Sequence, residues 1–320
     1  QGALRPEQGF RVVTYAVLAI AVVLAAYLLL SYQVYRRAFV PARAAWLDDF
    51  SFTPFEFQAD YEEVELVTAD GINFGAWHFR QPGSPQTVII SGGHKGQRQG
   101  ALGIAVALWR KGFNVVLYSY RGMPGSDRAP VTFGIKEVLE LQAAIAFARK
   151  RIPNARIGLL GYSMGAVVSM LGAAGEPGVQ ALVLDSPFSD LRRLLVESVR
   201  NASKLPGTPF VWMAGVMLWL RTRCRLSMCR PIDVMSTLEP RPLFFIHGGA
   251  DEITNVNHSR RLYDAYRGPR EIWIIQGAPH TGAYFADRPL YVERVAGFFA
   301  RHLGLDVSSH LRLVEEEEVS

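Results

Sequence analysis

The sequence predicts an α/β protein: a mostly parallel sheet of eight strands with helices on both faces. Three observations carry that expectation. From Thr87 onward, short apolar runs alternate with amphipathic helical stretches, the pattern of strands buried on both faces. The run Ala155 to Leu160 is broken by Gly161-Tyr162-Ser163-Met164-Gly165, after which a helical pattern begins at Met164. And Asp251 and His280 each lie just after a predicted strand, where open α/β sheets gather their chemistry.

In chain order, residues 1–11 form a short flank and Val12 to Tyr32 is almost wholly apolar, with Arg11 before it and Arg36-Arg37 after it. About twenty such residues suffice to cross the hydrocarbon core as a helix. Tyr15, Tyr27, Tyr32 and Tyr35 lie near its ends, where amphipathic rings favour the interface. The competing reading is a cleavable signal peptide, with Ala42-Arg43-Ala44 as its site. That site lies far beyond the apolar run, and the run is long for a signal core, so 12–32 reads as a signal anchor. Arg36, Arg37 and Arg43 outweigh Arg5 and Arg11 with Glu7, which points to a cytoplasmic catalytic domain.

Residues 33–60 read as a juxtamembrane linker and 61–305 as the catalytic domain. Glu63 to Thr68 and Ile72 to Phe79 alternate and are joined through Asp70-Gly71, a hairpin signal. Strands are then expected at Thr87–Ile90, Asn114–Ser119, Ala155–Leu160, Val179–Leu184, Pro242–His247 and Glu271–Gln276. Helices are expected at Ala101–Lys111, Ile135–Arg151, from Met164, at Asn257–Arg267 and at Pro289–His302. Residues 190–232, between the sixth and seventh strands, are too long for a plain crossover and read as a cap. They carry Arg192, Arg193, Arg200, Lys204, Arg221, Arg223, Arg225 and Arg230 against Asp190 and Glu197. Beside them the apolar stretch Phe210–Leu220 is too short to span a bilayer and suits an interfacial or pocket-covering helix. The acidic tail 306–320 reads as solvated.

The net charge of +5 is spread too thinly over the rest of the chain to argue for nucleic-acid binding. Cys224 and Cys229 give neither a disulfide framework nor a zinc-site spacing; they read as free thiols, a bridge being the alternative. No cofactor or metal is expected.

The strand–Gly-x-Ser-x-Gly–helix passage is the setting in which a nucleophilic serine is held on a strained turn. Ser163 needs a base to take its proton; His280 is the candidate, with Asp251 fixing its tautomer. Asp185 and Glu252 are rival acids, Asp185 being read as the organiser of its own Asp-Ser-Pro-Phe turn. Met164 N–H, at the helix start, and Gly93 N–H, after the third strand, are the expected oxyanion donors, with His94 the alternative to Gly93.

These residues carry a resemblance. Tyr120-Arg121-Gly122 with Gly125-Ser126, Gly134 with Glu137, Gly161-Tyr162-Ser163-Met164-Gly165, Asp185-Ser186-Pro187-Phe188, His247-Gly248 with Asp251, and Gly277 with His280 resemble the α/β-hydrolase superfamily. Within it, Tyr61 to Leu303 is similar to single-anchor serine hydrolases related to the fungal bud-emergence proteins and membrane-bound depalmitoylases. The family's third strand usually ends in His-Gly where this chain has Ser91-Gly92, and Ser119 stands where Asp often precedes Tyr-Arg-Gly. The resemblance implies a membrane-anchored hydrolase of acyl esters or thioesters acting at the bilayer. A peptidase of prolyl-peptidase type and a non-catalytic membrane scaffold are the alternatives. The first usually carries a propeller, for which no repeat exists here, and the second usually lacks a triad member.

Overall fold

The computed structural model describes residues 6–41, 53–96 and 98–305. The alternative cleavage site at 42–44, residues 42–52 of the linker and the acidic tail lie outside the described residues.

Eight strands form one sheet in the order β1-β2-β4-β3-β5-β6-β7-β8. β1 (Tyr61–Val67) and β2 (Asn73–Phe79) pair antiparallel, and β2 lies antiparallel to β4 (Asn114–Tyr118). β3 (Gln86–Ser91), β5 (Arg156–Tyr162), β6 (Val179–Asp185), β7 (Leu243–Gly248) and β8 (Arg270–Ile275) complete the sheet, with every pairing from β4 to β8 parallel. The central strands read as unbroken apolar runs because both faces are covered. On one side lie α3 (Val138–Arg151), α4 (Met164–Ala174) and α7 (Asn257–Ala265); on the other lie α2 (Leu102–Arg110) and α9 (Arg288–Leu303).

Two motifs are explained by buried carboxylates that tie loops to helices. The Arg121 side chain is almost fully buried, meeting both oxygens of Asp70 in the β1–β2 turn at 2.8 and 3.0 Å and Glu140 of α3 at 2.7 Å. A planar guanidinium suits this bidentate geometry. Glu137 accepts from Thr132 N, Thr132 Oγ1 and Gly134 N. That loop closure occupies residues 132–137, so α3 starts at Val138 rather than at the expected Ile135.

The cap holds two helices, α5 (Leu191–Ser203) and α6 (Gly207–Thr222), where sequence singled out one. Asp190 caps α5 by accepting from Arg193 N at 2.9 Å, and Leu191, Leu194 and Leu195 form its buried face. Arg193 and Arg230 pair with Glu197 and Asp190. Arg221, Arg223 and Arg225 are exposed, Arg223 lying over the Trp219 ring. Cys224 and Cys229 are free and buried.

The N-terminal helix α1 runs from Pro6 to Phe39, past the expected end at Tyr32. Phe10–Phe39 is long and apolar enough to cross a membrane by length and composition. Its first part is exposed, whereas Ser31, Tyr35, Ala38 and Phe39 are buried against the domain. Those contacts explain the extension: Phe39 sits edge-on to Phe133 and Ala38 O accepts from His94 Nε2, while further up the helix the Tyr27 ring tilts against Phe210 of α6. A run that sequence assigns to linker is thus a docked helical turn. A final short helix, α8 (Ala283–Ala286), follows the β8 loop.

Candidate active site

Ser163 joins β5 to α4 with φ +52° and ψ −114°, a backbone region that costs a non-glycine residue about 1–3 kcal/mol. Its neighbours enforce the turn. A Cβ on Gly161 would overlap Gly165 O and Ala166, and one on Gly165 would overlap the Ser91 and Gly92 carbonyls. Only glycines at both positions allow strand, turn and helix to pack this closely. Ser163 N–H donates to Asp185 O at 2.8 Å, anchoring the turn to the end of β6.

Three sequence-predicted residues from three strand ends converge. Ser163 Oγ lies 2.9 Å from His280 Nε2, and His280 Nδ1 lies 2.6 Å from Asp251 Oδ2. With the Nδ1–H tautomer donating to the carboxylate, Nε2 is left to accept from the serine hydroxyl. Asp251 sits in the turn after β7, its other oxygen accepting from Ile253 N and Thr254 N at 2.9 and 2.8 Å. Burial by itself raises the Asp251 pKa. Hydrogen bonds from His247 and His280, and the loop amides, outweigh that and hold the carboxyl well below its ordinary range. The group is therefore a carboxylate throughout the neutral range.

The other acids stand elsewhere. Asp185 is fully buried behind the nucleophile, accepting from Ser186 Oγ at 2.8 Å and Tyr291 Oη at 2.9 Å. Burial pushes its pKa up to about 6 against these donors. Glu252 is exposed to solvent.

His247 is the positioning residue that sequence did not single out as part of the site. Its Nε2 lies 2.7 Å from Thr254 O and 3.2 Å from Asp251 Oδ2, while Nδ1 meets Ser259 Oγ at 2.7 Å. It braces the loop that presents the acid. The signals in the sequence are its place at the end of β7, four residues before Asp251, and the His247-Gly248 pair among the motifs of the resemblance.

Gly93 faces the nucleophile: a Cβ built on it would lie 3.8 Å from Ser163 Cβ. Met164 opens α4, where the first N–H groups have no carbonyl within the helix to bond. The loop carrying Gly93 is held from outside. The His94 Nε2 donates to Ala38 O of α1 at 2.7 Å, and its ring stacks on Phe133 at 4.1 Å. Burial lowers its pKa to about 4, so it is neutral at pH 7. Lys95 Nζ donates to Arg37 O at 2.7 Å. Ser91, standing where the family has His, bonds Tyr118 Oη at 2.8 Å in the interior. A cavity of about 370 Å³ opens over Ser163, walled by Gly93, His94, Tyr162, His280 and Tyr284 among others. Among the described residues no group of three or more His, Cys, Asp or Glu side chains could hold a metal ion.

This sheet order, with Ser163 on the turn between β5 and α4 and Asp251 and His280 after β7 and β8, is that of the α/β-hydrolase fold. The family model described as alpha/beta hydrolase fold matches residues 88–208. The chain is similar to the uncharacterized protein YqkD of Bacillus subtilis, 28% identical over 250 residues, covering 77% of this chain and 81% of the relative. Among solved structures it resembles the Pyrococcus furiosus esterase Pf2001, with a TM-score of 0.69 and 25% identity over 82% of this chain and 98% of that one. The esterase domain of a Rhodothermus marinus protein shares the fold at a TM-score of 0.56 and 18% identity, covering 76% of this chain and 100% of that chain. The family-model match and the esterase structure agree on the alpha/beta hydrolase fold.

Proposed function

We propose that this protein is a membrane-anchored serine hydrolase that cleaves acyl esters or thioesters through an acyl-enzyme. The observation that carries this reading is the continuous hydrogen-bond chain from Ser163 Oγ through His280 to Asp251. His280 Nε2 takes the serine proton as Oγ attacks the substrate's carbonyl carbon. The oxyanion that forms is met by the N–H groups of Met164 and Gly93, fixed before the reaction by the turn and by the loop bound to α1. His280 then passes its proton to the departing alcohol or thiol, leaving Ser163 acylated. A water deprotonated by the same nitrogen releases the acid and restores the serine. Asp251 holds the imidazole tautomer and stabilises the imidazolium formed at each step.

The similarity to esterases supports a hydrolase. The apolar α1 supports the anchor and, with the shared motifs, the single-anchor depalmitoylase-like branch. Arg36 and Arg37 in the last turn of α1, with Arg43 beyond it in sequence, favour a cytoplasmic catalytic domain. The test is turnover of p-nitrophenyl butyrate by the full chain and by Ser163→Ala. Wild-type turnover that the substitution removes supports the reading, and equal rates refute it.

A further inference from the structure

The cavity over Ser163 adjoins a second one of about 390 Å³, and the two share His94, Phe133, Leu194 and Ile253 as walls. The second lies between α1 and the cap. Leu30, Val34 and Ala38 of α1 line one side; Val199 and Ala202 of α5 and Phe210 of α6 line the other. Among the described residues no acidic side chain lines it, and Arg37 is the one basic side chain there apart from the neutral His94. The two cavities therefore meet at these four side chains, beside the loop that carries Gly93, and the second is an apolar groove walled by the helix that is long enough to span a bilayer.

The position of the groove along α1 indicates its occupant. The large apolar side chains from Phe10 to Leu24 are exposed, and the first cap contact is Tyr27, whose hydroxyl donates to Pro209 O at 3.0 Å. From Phe10 to Tyr27 the helix rises about 26 Å, slightly less than the roughly 30 Å of hydrocarbon in a bilayer. A bilayer that covers this stretch reaches the open end of the groove, where Leu30 and Leu205 are both exposed. Trp212 and Leu220 stand exposed on the same cap helix, a composition suited to the lipid interface.

We propose that this groove receives the acyl chain of an ester or thioester lipid entering from the bilayer. On this view α1 is one wall of the substrate site as well as the anchor. The assignment rests on the serine-hydrolase reading, because it places the chain's carbonyl end at Ser163. The apolar walls bury the methylenes, and the shared residues turn the chain from the groove into the catalytic cavity. A short acyl group fits within the first cavity and gains little from the second.

The test uses the full chain in lipid nanodiscs with p-nitrophenyl butyrate and p-nitrophenyl laurate. Ala202→Trp fills the groove from α5 and Val34→Trp fills it from α1, neither residue lining the cavity over Ser163. Each substitution is expected to lower the laurate-to-butyrate ratio of kcat/KM at least tenfold, chiefly through KM for laurate. A partly unfolded preparation lowers both rates together and leaves that ratio intact. A ratio within twofold of wild type in both variants overturns the groove assignment while leaving the serine reading standing. Absence of wild-type turnover on both esters, or full turnover by Ser163→Ala, refutes the serine reading and the groove assignment with it.

Discussion

At the scale of single residues, the site depends on which carboxylate faces the histidine. Asp251 is 2.6 Å from His280, whereas Asp185 is bound by Ser186 and Tyr291. Asp251→Asn is expected to lower kcat by about 10⁴-fold, losing the tautomer while keeping the base; Ser163→Ala and His280→Ala should cost about 10⁶-fold. Asp185→Asn should retain most activity, and initial rates on one soluble ester rank all four. A larger loss from Asp185→Asn than from Asp251→Asn contradicts the assignment of the acid. Asp185 also makes a pH prediction. Its pKa is raised from 3.8 to about 6 in the fold, so its contribution to stability is complete below about pH 3.8 and is lost as pH rises through 6. That rise corresponds to about 3 kcal/mol. The stability of Asp185→Asn relative to wild type should therefore increase between pH 4 and pH 8 in paired denaturation curves. A difference independent of pH would show that Asp185 titrates alike in both states. Sequence order alone placed Ser163, Asp251 and His280, since each follows a recognisable strand. His247 stood among the motifs, but its bracing role did not show, because a histidine in a strand carries no mark of the loop it will brace.

At the scale of elements, the parallel strands were legible because burial on both faces makes them continuous apolar runs, and Asp70-Gly71 marked the hairpin. The cap was half legible. Phe210–Leu220 announced α6 by composition, while α5 was hidden by its many charges despite Leu191, Leu194 and Leu195 at helical spacing. The end of α1 was not legible at all, since its partners Phe133 and His94 are far away in sequence. The turn itself makes a sharp prediction. A methyl group on Gly165 has no space beside the Ser91 and Gly92 carbonyls, so Gly165→Ala should destabilise the fold by about 3 kcal/mol and abolish activity. A melting temperature equal to wild type would contradict the packing described. For the cap, the exposed Arg221, Arg223 and Arg225 should each add about 1 kcal/mol of attraction to an anionic surface, screened by salt. Replacing all three with Gln should reduce co-sedimentation of protein lacking residues 1–35 with anionic vesicles at low salt. Equal binding by the two proteins would reject an arginine-based contact and leave the cap as a pocket cover.

At the scale of the whole molecule, α1, the cap and the loop that bears Gly93 form one connected unit. α1 packs along α6, and its last turn receives His94 and Lys95 from the loop that bears Gly93. An anchor that only tethered the domain would need none of these contacts. The chemistry at the centre needs no metal, so activity in EDTA should equal activity without it. All of this depends on Ser163 being a nucleophile activated by His280. The most direct measurement is intact-mass and peptide-level detection of the adduct formed by a fluorophosphonate probe on the full chain. The account predicts one phosphonate per chain, on the peptide containing Ser163, absent from Ser163→Ala and strongly slowed in His280→Ala. No adduct on the folded wild-type protein, or an adduct on another residue that persists in Ser163→Ala, would contradict it.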